Sequence, residues 1–297
     1  MRDTGSFFEI GKFLLAFAAV ILAPLVGGLL SGLDRKITAK LQSRVGPPIL
    51  QPFYDVLKLL GKSPMYMNPW QILSVWVYLA SSMLTVFLFF FGGDLLLIFF
   101  VLTVGAVFFV MGALSAQSPY SQTGAQRELV AMLSYEPLII LVFVAIAMVT
   151  DSFQVSAVFA HTAQSGRPLL YELPLMFIVL GYGLTIKLRK SPFDISASSH
   201  AHQELVRGVL TEYSGPQLAM IEIAHWYDMI FLLGLCALFW TTSAVGMVIL
   251  LAATYFAELI IDNVCARMTY KWMLKTVWSW GLALSALNLI LLYAARR

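Results

Sequence analysis

The chain has 297 residues, 60% of them hydrophobic and only 12% charged, with a net charge of +3 and a mean hydropathy of +0.82. A soluble domain averages about 25% charged residues, so this composition excludes one and predicts a polytopic membrane protein. Two cysteines, Cys236 in an apolar run and Cys265 near a loop, are too few for an iron–sulfur cluster, which takes about four thiolates, and read as ordinary thiols.

A bilayer core of ~30 Å is crossed by about 20 apolar residues of helix. Eight segments meet that length: 10–31, 70–92, 94–115, 129–150, 172–190, 217–241, 244–263 and 274–294. Continuous apolarity without alternation makes them helices, so the expected fold is an all-α polytopic membrane protein of eight transmembrane helices. The mixed charge of Arg2, Asp3, Glu9 and Lys12 before a full-length apolar run predicts a retained first span, not a cleaved signal.

Between the first two spans, RVGPP (44–48) marks a turn and ILQPFYDVLKLLGK (49–62) reads as an amphipathic helix at the membrane surface. Arg35, Arg44 and Asp55 are candidates there for interfacial or subunit contact, with a purely lipid-held helix as the alternative. Gly92-Gly93-Asp94 is turn chemistry that separates the second and third spans.

Four acids fall inside spans, at a cost of about 2.5–3.5 kcal/mol each on insertion scales. Glu136 sits about 10 Å into the fourth span and precedes Pro137, which frees the carbonyl of Leu133 for water or a neighbour. Glu222 lies about 7 Å in from the start of the sixth span and Asp228 about 16 Å in, and Glu258 about 7 Å in from the end of the seventh, which is on the same side. Three glutamates at similar depth can share a polar cavity, and buried carboxyls near one another become protonatable near neutral pH. In IEIAHWYD (221–228), Glu222, His225 and Asp228 form an acid–His–acid ladder suited to passing protons. Structural pairing, with Lys187 as a partner, is the alternative. Gly181 and Gly183 read as close helix packing by small residues, and Asp262, an i,i+4 neighbour of Glu258, as a solvated residue near the span's end.

Fourteen of the 19 Lys and Arg lie on the side of the loops after spans one, three, five and seven. By the positive-inside rule those loops are cytoplasmic and both termini lie on the outer side. The large cytoplasmic loops, 32–69 and 191–216, predict docking of a partner on that face. No internal repeat or flexible linker interrupts the chain, which reads as one membrane domain over 1–297, and the lack of an inverted repeat argues against a stand-alone transporter. The second large loop carries Asp194, His200, His202, Glu204 and Glu212. His200-Ala-His202 offers two metal ligands with no cysteine nearby, a poor zinc site.

Several runs then line up in order. DRK, QSRVGPP and LQPFYDVLKLLGK in the first loop, LSYEPL in the fourth span, and SPFDI with QELVRGVLTEYSG in the large loop resemble the subunit-1 family of respiratory complex I and its membrane-bound hydrogenase relatives. Lys187 stands where the quinone-reducing members carry a glutamate, and ISASSHAHQELV replaces their acidic loop. Ala224-His225-Trp226 replaces Ala-Glu-Tyr, and the first loop is shorter. These departures resemble the energy-converting (Ech-type, group 4) [NiFe]-hydrogenases. That resemblance implies a membrane-anchor subunit linking ferredoxin-dependent H2 chemistry to H+ or Na+ transport in the cell membrane. Asp194, His200, His202, Glu204 and Glu212 would form the coupling loop, and Glu136, Glu222, His225, Asp228 and Glu258 the ion pathway. It implies no cofactor on this chain. The NiFe centre and iron–sulfur clusters would belong to cytoplasmic large, small and iron–sulfur subunits, with an antiporter-like subunit and lipid as membrane neighbours. The alternative is the equivalent quinone-binding subunit of an NADH:quinone oxidoreductase or a formate- or ferredoxin-linked relative. Nothing in the sequence points to nucleic acid.

Overall fold

Apolar runs of this length bury no unpaired backbone polar group only as helices, and helices are what form. A computed structural model describes residues 3–65, 68–190, 193 and 207–295, and among them there is no β-strand, only two isolated bridges. Asp194, His200, His202 and Glu204 lie outside the described residues.

Seven helices among the described residues are long and apolar enough to cross a membrane. They are α1 (Asp3–Leu41), α3 (Pro69–Phe91), α4 (Leu95–Leu114), α5 (Pro119–Thr150), α9 (Gly215–Leu238), α10 (Ala244–Val264) and a rod over Tyr270–Ala294. That rod is α11 (Tyr270–Thr276), a π turn (Val277–Gly281) and α12 (Leu282–Ala295). Shorter helices are α2 (Gln51–Leu60) and α6 (Val155–Ser165). The apolar segment expected over 172–190 is broken into α7 (Leu169–Glu172) and α8 (Pro174–Lys187), because Pro174 lacks an N–H and restarts the helix. Fourteen residues rise about 20 Å, short of a ~30 Å core.

Helical structure extends well into the polar flanks. The loop expected over 32–69 is largely helical: α1 continues through Asp34-Arg35-Lys36 to Leu41, and α2 occupies 51–60. Likewise α5 starts at Pro119, ten residues before the apolar run. Polar helix formers carry a helix beyond the membrane, and hydropathy does not register them.

The chain divides into two compact units. The first comprises residues to Ser115, 154–156 and 213–231. In it α1, α3 and α4 pack side by side, and the Gly92–Asp94 turn works as expected. Gly92 takes the left-handed conformation that ends α3 (φ 89°), and Asp94 Oδ1 accepts the Leu96 and Leu97 N–H groups at 2.8 and 3.2 Å to start α4. The amphipathic α2 lays Phe53, Val56 and Leu59 on Ala219, Ile223 and Trp226 of α9, with the Phe53 and Trp226 rings 5.3 Å apart.

The second unit comprises 116–153, 157–212 and 232–297. Its core is α5 against α8, and Leu138, Val142, Phe143 and Ile146 of α5 and Met176, Val179, Leu180 and Leu184 of α8 are all buried. The α11–α12 rod packs on the same pair, and α10 packs on α8. Gly181 and Gly183 do not mediate close packing as expected: a Cβ at either would meet nothing within 4 Å. The tight approach is at Gly124, where a Cβ would lie 2.6 Å from the backbone of Gly208 and Val209. Phe193 is buried, bridged to Met268 and edge-on to Tyr182, so this one described residue of 191–206 is anchored.

Candidate functional site

In the first unit the 3.6-residue period of α9 puts Glu222, His225 and Asp228 on one face. Asp228 is only 6% exposed, and its carboxylate accepts the Tyr78 hydroxyl at 2.9 Å and the Ser82 hydroxyl at 2.8 Å. Those donors are four apart on α3, the spacing that lets both reach one group. His225 clusters with the rings of Tyr78 (5.8 Å) and Phe109 (6.0 Å), both edge-on to the imidazole. Tyr213 stacks on Phe109 at 6.2 Å, and its hydroxyl is buried without a hydrogen-bond partner. Burial pushes the Tyr213 phenol above its ordinary range. The expected acid–His–acid ladder therefore shares one face, and Tyr78, Ser82 and Tyr213, unmarked by sequence reasoning, complete its setting.

The second unit holds a different constellation at the end of α8, where KLRK (187–190) fans out. Arg189 adopts φ 57°, uncommon for a non-glycine residue, and the turn is tied back by the Lys190 N–H on the Thr185 carbonyl at 2.9 Å. Each basic side chain thereby meets an acid from another helix. Lys187 lies over the Tyr135 ring at 5.4 Å and within electrostatic reach of Glu136. Arg189 donates Nε and Nη2 to Glu128 Oε1 at 3.3 and 3.0 Å. Lys190 pairs with Asp262 at 3.7 Å and acts on Glu258, one turn earlier on α10. Glu258 is 4% exposed, and its Oε2, like Glu136 Oε1, is buried with no hydrogen-bond partner.

Glu136 and Glu258 thus belong to the second unit and Glu222 to the first. Asp262, expected to be solvated, is ion-paired, its side chain 8% exposed. Glu128, Arg189 and Lys190 were missed as site residues. The available signal was Glu128 standing eight residues, about two turns, before Glu136 on the same helix.

Of the interfacial candidates, Arg35 Nη1 and Asp55 Oδ2 form a 2.7 Å ion pair joining α1 to α2, and Gln51 donates to the other Asp55 oxygen at 3.0 Å. Burial pushes the Asp55 carboxyl up, but the Arg35 and Gln51 hydrogen bonds and the Arg35 and Lys58 charges outweigh it and leave it below the ordinary 3.8. Arg44 is exposed and bonds to Gln42. Glu212 is half-buried just before α9. Among the described residues no group of three or more His, Cys, Asp and Glu could hold a metal ion.

Buried carboxylates matched to basic or hydroxyl donors across apolar helices define a multi-pass membrane protein built around intramembrane acids. The family model described as NADH dehydrogenase (NADHdh) matches residues 13–293. Hydrogenase-4 component C of Escherichia coli (strain K12) is 31% identical over 234 residues, spanning 75% of this chain and 72% of that one. Formate hydrogenlyase subunit 4 of the same organism is 30% identical, covering 66% of this chain and 67% of its own. An NADH-quinone oxidoreductase subunit of Syntrophotalea carbinolica is also 30% identical, covering 67% of each. A chain of the membrane-bound sulfane sulfur reductase, an archaeal respiratory membrane complex, superposes with a TM-score of 0.83 over 95% of this chain and 99% of that one, at 24% identity, a likeness of fold. The chain belongs to the NADH dehydrogenase family, of the respiratory complex I subunit 1 type. It is a membrane subunit of the complex I-like oxidoreductase type.

Proposed function

We propose that this chain is the membrane-anchor and ion-coupling subunit of a multisubunit [NiFe]-hydrogenase, linking ferredoxin-dependent H2 evolution or uptake to H+ or Na+ transport. The observation that carries the coupling is Lys190 standing between Asp262 and Glu258. One ammonium lies within reach of two carboxylates a turn apart on α10, so a shift of Lys190 between them changes how strongly each holds a proton. Redox events in a docked arm bias the shift through the large loop, where Asp194, His200, His202, Glu204 and Glu212 are proposed to make the contact. Glu136 with Lys187, and Glu222, His225 and Asp228, are proposed as the other carriers.

The sequence departures at Lys187, His200, His202 and His225 and the likeness to hydrogenase-4 component C and formate hydrogenlyase subunit 4 support the hydrogenase reading. In this reading the basic end of α8 faces the cytoplasm, both termini face outward, and the NiFe centre and iron–sulfur clusters sit in the large, small and iron–sulfur subunits docked there. An antiporter-like subunit and lipid cover the membrane face. The likeness to the Syntrophotalea NADH-quinone oxidoreductase supports a second reading, the equivalent quinone-binding subunit of an NADH:quinone oxidoreductase.

Purification of the complex through a tag on this chain, with metal analysis and an H2-evolution assay using reduced ferredoxin, separates the two. Nickel with H2 evolution is the expected result. Bound quinone with an NADH-oxidising arm and no nickel would overturn it.

A further inference from the structure

The same unit that holds the Lys187–Lys190 cluster has a cavity of about 530 Å3 at the opposite end of α8. Its wall includes Val149 at the end of α5, His161 of α6, Glu172 of α7, Leu175 of α8, and Asn288 and Leu291 of α12. His161 Nε2 lies 4.0 Å from Glu172 Oε2, while its Nδ1 is buried with no hydrogen-bond partner. Tyr171 and Glu172 are the titratable groups that share the cavity with it.

Polar side chains of the α11–α12 rod recur between the level of this cavity and that of the basic cluster. Asn288 is 3% exposed and its Oδ1 accepts the Met176 N–H at 3.0 Å. One turn earlier on α12, Ser285 is fully buried and donates to the Gly281 carbonyl at 2.8 Å. Gly281 closes the π turn that widens the rod, and just before that turn Thr276 meets the Tyr182 hydroxyl at 2.5 Å. Tyr182 is five residues, about 7 Å, from Lys187.

We propose that this cavity is a water-filled mouth through which protons exchange between the buried glutamates and the medium on the side away from the large loops. His161 and Glu172 are the groups that exchange them. A proton arriving through water is taken up between His161 Nε2 and Glu172 Oε2, 4.0 Å apart on partly exposed side chains, and the carboxylate supplies the counter-charge for the imidazolium. The proton leaves from the same pair to water, so nothing is consumed. Asn288 lines the cavity, and Ser285 and Thr276 follow along the rod towards the basic cluster. The inference rests on the ion-coupling reading above.

The test uses the complex purified through this chain and reconstituted in vesicles, driven by reduced ferredoxin or by NADH and a quinone, with protons moved counted per redox turnover. In H161Q/E172Q the ratio should fall at least fivefold. A ratio equal to that of the unmodified complex overturns the inference while leaving the ion-coupling reading intact. An unmodified complex that turns over without moving protons overturns both. Labelling of H161C in a C265S background, by a membrane-impermeant maleimide added on the outer face, should be rapid; its absence overturns the inference even if the double variant fails to assemble.

Discussion

The Tyr78 hydroxyl donates to the Asp228 carboxylate at 2.9 Å across 150 residues of sequence, and Ser82 supplies the second donor at 2.8 Å. Hydrogen bonds to a charged acceptor contribute about 1.5–3 kcal/mol each. Tyr78→Phe should therefore lower the thermal midpoint of the purified complex by several degrees, and Y78F/S82A should lower it by more than either single change. Asp228→Asn introduced into the double variant should recover part of the loss, because the amide carries no buried charge. Failure of that recovery in a thermal-shift assay would show that the donors serve the fold without regard to the charge.

Lys190 is shared by Asp262 and Glu258. Lys190→Ala should destabilise by about 3–5 kcal/mol, the usual effect of breaking a buried pair, and Glu258→Gln in the same chain should restore part of it. Glu258→Gln alone should leave the midpoint nearly unchanged while abolishing redox-linked ion uptake in vesicles. Retained uptake would remove Glu258 from the pathway.

The Arg35–Asp55 pair sets a pH dependence of known sign. The Asp55 carboxyl in the folded chain lies below its ordinary 3.8, so its stabilisation is fully present above that value and is lost as pH falls through the depressed one. Both side chains are more than 40% exposed, which limits the contribution to about 0.2–1 kcal/mol and makes it salt-sensitive. Asp55→Asn should flatten the acid limb of thermal stability below about pH 4 by that amount, and about 1 M salt should flatten it in the unmodified chain.

Gly124→Ala forces a Cβ to within 2.6 Å of the Gly208 and Val209 backbone, whereas Gly181→Ala and Gly183→Ala meet open space. The first substitution should lower the yield of assembled complex severely. The other two should be neutral or should stabilise by about 0.5–1 kcal/mol through helix propensity. Equal tolerance at all three positions in an expression and thermal-shift series would contradict the packing around Gly124.

The expected spans coincide with helices to within a few residues wherever apolar sequence stops at a cap, as at Asn68-Pro69, Gly92 and Ser243. They diverge where the helix outlasts its apolar face, at Leu41 and Pro119, because hydropathy marks the solvent change and not the helix end. The break at Leu173-Pro174 carries a readable signal, a proline inside an apolar run, that hydropathy averages into one segment. Glu136, Glu222, Asp228 and Glu258 stand out because an acid in an apolar run is expensive. Their partners do not: Tyr78 and Ser82 are ordinary in a helix, and Arg189 with Glu128, 61 residues apart, becomes a pair only once α5 and α8 lie together. The aromatic neighbours of His225 are hidden for the same reason.

The shortness of α8 bears on voltage. A membrane potential falls across whatever is dry, and a span of about 20 Å replaces a core of ~30 Å wherever water fills the cavity at its far end. The local electric field along α8 is then about 1.5 times steeper than in the surrounding bilayer. The full ≈ 2.3 kcal/mol per elementary charge per 100 mV is exchanged over that shorter path. A charge displacement near Lys187 and Lys190 would therefore register a larger share of the potential than the same movement along a full-length helix.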